Sequence, residues 1–184
     1  EHISEKTRLL ALSHVTTDLG VRLSVSKLCA HAREKGVHTF VDLAHSAGLF
    51  PIALSDLNCD FAGLLSYKWM YAPYASGLLY VDPQQLNTLD IKYAGGRSEQ
   101  WLDFEQDGYE LKDTAGRFQY GPWSWPLVHA WADATRYLEN IGIDDIWKRT
   151  TSLTDQLKAS LTNIEGVTLH TPLCAEQSAS LVSF

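Results

Sequence analysis

The chain has 184 residues, 45% hydrophobic and 20% charged, with 15 Lys and Arg against 22 Asp and Glu for a net charge of −7. That is enough for one domain, or most of one, with a sizeable core. The mixed charges exclude a basic nucleic-acid face and a polybasic membrane patch, and the apolar runs are too short to span a bilayer. The opening, Glu1-His2-Ile3-Ser4-Glu5-Lys6, is polar and mixed in charge, so no signal peptide is expected. "RLLALSHV" (8–15) predicts a buried strand. "SVSKLCAHAREKG" (24–36) predicts a helix that Ser24 or Ser26 caps and Gly36 stops. "VHTFVDL" (37–43), "CDFAGLLS" (59–66) and "GLLYVD" (77–82) predict three more strands. Short apolar strands separated by helical stretches imply an α/β fold with a largely parallel sheet. The last two strands are joined too briefly for a helix, so one of them is expected to run antiparallel. Residues 83–121 are polar and aperiodic, which predicts a long functional loop or one held by a partner. Helices follow over 125–142 and 143–164, and "GVTLHT" (166–171) and "SASLVSF" (178–184) predict two strands of a new sheet. The chain stops inside the last of these, so a piece of a longer protein is expected. Cys29, Cys59 and Cys174 lack C-x-x-C spacing and suit reduced thiols in a cytoplasmic protein. Six tryptophans and eight tyrosines gather mainly between 67 and 137, which suggests an aromatic cleft or a subunit interface.

Ligands of open α/β sheets bind beyond the carboxyl ends of the strands. The first strand ends in Ser13-His14 and runs on to Thr16-Thr17-Asp18. The second ends in Asp42, with His45 three residues on, and the third in Ser66-Tyr67-Lys68. Neighbouring strands would bring Asp42, His45 and Lys68 to one site. No G-x-G-x-x-G follows a strand, which argues against a dinucleotide. A G-x-S-x-G turn for a nucleophilic serine is also missing. A metal at His14, Asp42 and His45 would be repelled by the lysine. Pyridoxal 5'-phosphate (PLP) fits all three groups. A lysine in an apolar pocket forms the Schiff base, a buried aspartate holds the pyridinium nitrogen, and hydroxyls beside the lysine bind phosphate. Taken singly, each residue has a plainer reading. Asp42 suits a cap or turn, His45 a hydrogen-bonded core or surface histidine, and Lys68 an amine reaching solvent along its aromatic neighbours. Their common position after successive strands favours the cofactor site.

"SHVTTDLG", "VDLAHSAG", "CDFAGLLSYKWMYAP" and "GLLYV" resemble, in order and spacing, the class V aminotransferase family, over about Thr7 to Phe184. Cysteine desulfurases, selenocysteine lyases, isopenicillin-N epimerase-like enzymes and kynureninases belong to it. The resemblance implies the large-domain sheet of a fold type I PLP-dependent transferase over 1–142, and the start of a small C-terminal α+β domain over 143–184. Lys68 would be the Schiff-base lysine and proton carrier, and Asp42 the partner of the pyridine nitrogen. His45 would lie by the cofactor's phenolic oxygen, with Ser66 and Tyr67 at the phosphate. Thr17 stands where many relatives have asparagine near that phenolic oxygen. His14 is given strand-end packing only.

"RFQYGPWSWP" (117–126) resembles a segment whose hydroxyl residue reaches the other subunit's phosphate in a dimer. Pro122 replaces the usual threonine, and Ser124 is the candidate substitute. Arg97, after Gly95-Gly96, is either an exposed loop arginine or a carboxylate clamp. The family's phosphate loop and ring-stacking aromatic lie before this chain's start, and its substrate-carboxylate arginine and mobile cysteine after its end. Cys174 does not match that cysteine. The resemblance therefore implies a cytoplasmic, homodimeric PLP enzyme for a small amino acid, of which this chain is an inactive piece by itself. Its first branch is desulfurase, lyase or epimerase; "DLAH" and "SYK" make kynureninase-like hydrolysis the second. The rival from another class is a non-catalytic module retaining the fold.

Overall fold

A computed structural model describes residues 3–184; Glu1 and His2, part of the polar opening, lie outside the described residues. Four strands form the central sheet in the order β1-β2-β3-β4: Leu9–Ser13, His38–Asp42, Phe61–Leu65 and Gly77–Val81. The first three are parallel and β4 is antiparallel to β3, as the short connection requires. Ser13 pairs with Asp42, and Asp42 with Gly63, so the first three strands end along one edge.

Helix α1 (Val25–Glu34) is the crossover between β1 and β2. Its positions 25, 29 and 32 fall on one face, and Val25, Cys29 and Ala32 are buried there. Val25 and Cys29 pack with Val41, Leu43, Leu57, Cys59 and Ala62 in the main core. A buried polar link crosses the strands beneath. The Asp60 carboxylate accepts from the Thr39 backbone N–H at 2.7 Å and from its hydroxyl at 3.0 Å, and the Thr39 hydroxyl accepts the Asp60 N–H at 2.9 Å. The charge is thus buried with its hydrogen bonds satisfied. All three cysteines are free, Cys29 and Cys59 buried and Cys174 exposed.

The stretch expected as a long loop contains a hairpin, β5 (Glu99–Asp103) and β6 (Gly108–Leu111). The Asp103 carboxylate accepts the N–H groups of Glu105 and Gln106, and Asp107 adopts φ +52° before Gly108. Both strands lie on the surface, so no run of buried residues marked them in the sequence. Helices α2 (Trp125–Ile141) and α3 (Ile143–Thr162) follow, broken at Gly142. The expected closing pair of strands does not form a ladder. His170 N–H donates to Ser183 O, but the Ser183 N–H donates to the Thr171 hydroxyl at 2.7 Å, so a side chain replaces the next ladder bond. The final segment instead crosses the turn after β1. Val21 bridges Ser178, and Ala179 N–H donates to Gly20 O. A Cβ at Gly20 would lie 2.2 Å from the Leu181 carbonyl oxygen, so only glycine permits this crossing. Ala179 joins Val15, Leu49 and Phe50 in a second core, on which Trp147 of α3 packs.

Candidate active site

Two turns carry the polar groups at the strand ends. After β2, Asp42 Oδ1 accepts the Ala44 N–H at 2.8 Å, a side-chain turn that brings His45 back over the sheet edge. After β3, the chain continues through Ser66 and Tyr67 to Lys68. The turns touch at Gly48, which has φ +85°; a Cβ there would lie 2.4 Å from the Trp69 carbonyl oxygen. This approach places Lys68 Nζ 2.9 Å from His45 Nε2.

Burial lowers the His45 pKa, the Lys68 ammonium lowers it further, and the Asp42 carboxylate opposes them. A Lys68 N–H donated to Nε2 would leave the ring proton on Nδ1. That Nδ1 is buried with no protein partner. Asp42 is exposed, and His45 and Lys68 are half-buried, so Lys68 stands on an open shelf rather than in a sealed apolar pocket. Two apolar cavities of about 840 and 800 Å³ flank this shelf, and Met70 lines both, but neither is lined by Asp42, His45 or Lys68.

The other sequence-derived candidates are placed differently. Ser66 is fully buried, and its hydroxyl lies 2.5 Å from Pro73 O and 2.9 Å from Ser76 O while accepting from the Ser76 hydroxyl at 2.8 Å. It ties the 66–76 loop, in which Tyr71 and Ala75 adopt positive φ. Tyr67 is exposed and stacks on Tyr74 at 4.7 Å. Thr17 is exposed in the turn after β1. No described hydrogen bond joins Thr17 or Tyr67 to the Asp42–His45–Lys68 group. His14 turns the other way, edge-on to Phe50. Among the described residues, no group of three or more His, Cys, Asp and Glu is disposed to hold a metal ion. Ser76 and Gly48 escaped the sequence reading. The signals available were a small residue before Gly77 and a glycine soon after the Asp-x-x-His element.

The family model described as "Aminotransferase class-V" matches residues 1–184. The chain belongs to the class V aminotransferase family. Among similar class V proteins, a probable cysteine desulfurase of Methanothermobacter thermautotrophicus is 28% identical over 165 residues, 90% of this chain and 41% of that protein. The isopenicillin N epimerase of Streptomyces clavuligerus is 29% identical over 189 residues, 97% of this chain and 46% of that protein. This class V chain therefore spans less than half the length of these relatives. The apo cysteine desulfurase from Thermococcus onnurineus NA1 superposes with a TM-score of 0.85 at 28% identity, covering 96% of this chain and 44% of that one. A mutant of C-DES with glycine covalently linked to its PLP cofactor gives 0.86 at 23% identity, covering 96% and 47%, a likeness of fold. The α/β architecture is thus that of PLP-dependent fold type I enzymes.

Proposed function

We propose that this chain carries the lysine-bearing half of a PLP site in an enzyme acting on a small amino acid, in the desulfurase, lyase and epimerase branch. The observation that carries this reading is the 2.9 Å contact of Lys68 Nζ with His45 Nε2, beside Asp42 at the edge where β2 and β3 end. The donor set fits the cofactor. Lys68 offers an amine, Asp42 has a carboxylate oxygen for a protonated ring nitrogen, and His45 Nδ1 is a buried polar atom without a partner. When bound, PLP supplies an electron sink for charge developing at the substrate α-carbon.

Lys68 would hold the cofactor, and its amine would be the group that carries the α-proton. His45, neutral at pH 7, accepts a hydrogen bond from the lysine and orients its amine. Asp42 would pair with a protonated ring nitrogen. Ser66 fixes the loop that carries Tyr67 and Lys68, and Tyr67 and Thr17 would be the residues nearest the phosphate and the ring. The division at Gly142 belongs to the same proposal, with 1–142 in the large domain and 143–184 opening the smaller one. So does a homodimer, supported by Trp101, Phe104 and Tyr109 standing exposed on the hairpin. The three free thiols support a cytoplasmic location.

Borohydride reduction with PLP, followed by peptide mass mapping, tests the assignment. Label is expected on Lys68, and Asp42→Asn should weaken cofactor binding roughly 10- to 100-fold, as for losing a charge-assisted hydrogen bond. Label spread over surface lysines with Lys68 unmodified would overturn it.

A further inference from the structure

The geometry points to a carboxylate-binding site at Arg97, formed by its guanidinium over the indoles of Trp123 and Trp125, for a small acid with an apolar body. The inference stands apart from the cofactor reading. Arg97 Cζ lies 5.0 Å from the Trp123 ring centroid and 5.1 Å from that of Trp125. Stacking on aromatic faces leaves the N–H edges of a guanidinium for in-plane acceptors. No described hydrogen bond uses those edges, and no carboxylate lies within ion-pair distance. Glu99, two residues on, makes no ion pair either, and its Oε2 is buried without a partner.

The backbone is held for this placement. Arg97 has φ +92°, a conformation that disfavours a side chain. Such a residue persists only where its surroundings over-determine it, and such residues cluster at ligand clamps. The tethers here are several. Gly95 N–H donates to the Ser98 hydroxyl at 3.0 Å, and that hydroxyl donates back to Gly95 O at 2.7 Å. Gly121 N–H donates to Gly96 O at 3.0 Å, and the Lys112 ammonium donates to Arg97 O itself. Lys112 also brings a second positive charge to this corner.

The body of the ligand has a place beside it. Trp123 and Ser124 line the 840 Å³ apolar cavity, whose other wall is Met70, Ser76 and Leu78. Arg97 itself is not part of that lining; Trp123 is, so a tail reaching the cavity from the guanidinium would run along its indole. A flat two-point contact of this kind favours a carboxylate, because the planar fork matches two oxygens in one plane.

Tryptophan emission tests the site without the cofactor, since two indoles lie on the guanidinium. At fixed ionic strength, 4-phenylbutyrate is expected to give a saturable change and 4-phenylbutyramide none. Arg97→Gln should weaken the response roughly tenfold or more while the circular dichroism spectrum is kept. Arg97→Gly should abolish the response yet raise the thermal midpoint, because glycine relieves the positive φ. Trp125→Phe should reduce the amplitude. The site is overturned if the amide matches the acid, or if either Arg97 variant keeps the wild-type affinity. It is also overturned if the wild type sediments as a dimer that Arg97→Gln splits, since the guanidinium then belongs to a carboxylate of a second copy.

Discussion

His14 leaves the last residue of β1 and is buried edge-on against Phe50, with Nδ1 unpartnered. Burial, and then the nearby Arg22 charge, lower its pKa from 6.5 to about 4. The folded chain therefore holds it neutral while the unfolded chain takes up a proton near pH 6.5. Stability is retained above that pH, falls as pH drops from about 6.5 to about 4, and stops falling from this cause once both states are protonated. The full loss is of order 3 kcal/mol. Urea midpoints measured from pH 7 to pH 4 should decline in the wild type, and His14→Asn should flatten that decline. The same scale shows what the sequence disclosed of the site. That Asp42, His45 and Lys68 gather at one edge was legible because each stands at or just past the end of a strand, and parallel register carries strand ends to a common edge. The direction of a side chain beyond that edge was not legible. Ser66 faces its own loop and Tyr67 lies on Tyr74, outcomes decided by contacts ten and seven residues along the chain.

Among the elements, the two turns that meet at the site depend on a backbone contact. Gly48→Ala would set a methyl against the Trp69 carbonyl in a conformation disfavoured for alanine. It should cost more than about 3 kcal/mol, read as a lower denaturant midpoint. Borohydride labelling at Lys68 should fall with it. In the 66–76 loop, Ala75 at φ +65° is expected to gain about 1 kcal/mol on substitution by glycine. Ser66→Ala should cost about 1–3 kcal/mol, since buried partners in the loop lose a hydrogen bond. Differential scanning calorimetry of both variants checks the opposite signs. The central strands and all three α-helices were readable from periodicity, although Ser24 stands at the start of α1 without a capping hydrogen bond. The β5–β6 hairpin was not, although Asp107-Gly108 is a hairpin signal, because its strands bury little against the core. The closing strands failed for another reason. A hydroxyl at Thr171 competes with the ladder, and apolar alternation carries no trace of such a competitor.

Across the molecule, residues beyond Gly142 share a core with the turns that follow β1 and β2. Trp147 meets Phe50 with ring centroids 5.1 Å apart, and Lys158, buried in α3, donates to the Ser178 hydroxyl at 2.5 Å. Trp147→Ala should therefore destabilise the whole chain by about 3 kcal/mol in one transition, rather than release residues 143–184 alone. Coincident tryptophan emission and far-ultraviolet dichroism curves would show this; separate curves would count against a shared core.

The bare Cα of Gly20 has a further consequence. It makes the seat of residues 178–181 a product of the turn that follows β1, so two segments distant in sequence are fitted together through one missing methyl group. A homologue with a side chain at that place must bring the segment matching 178–181 past the turn by another route.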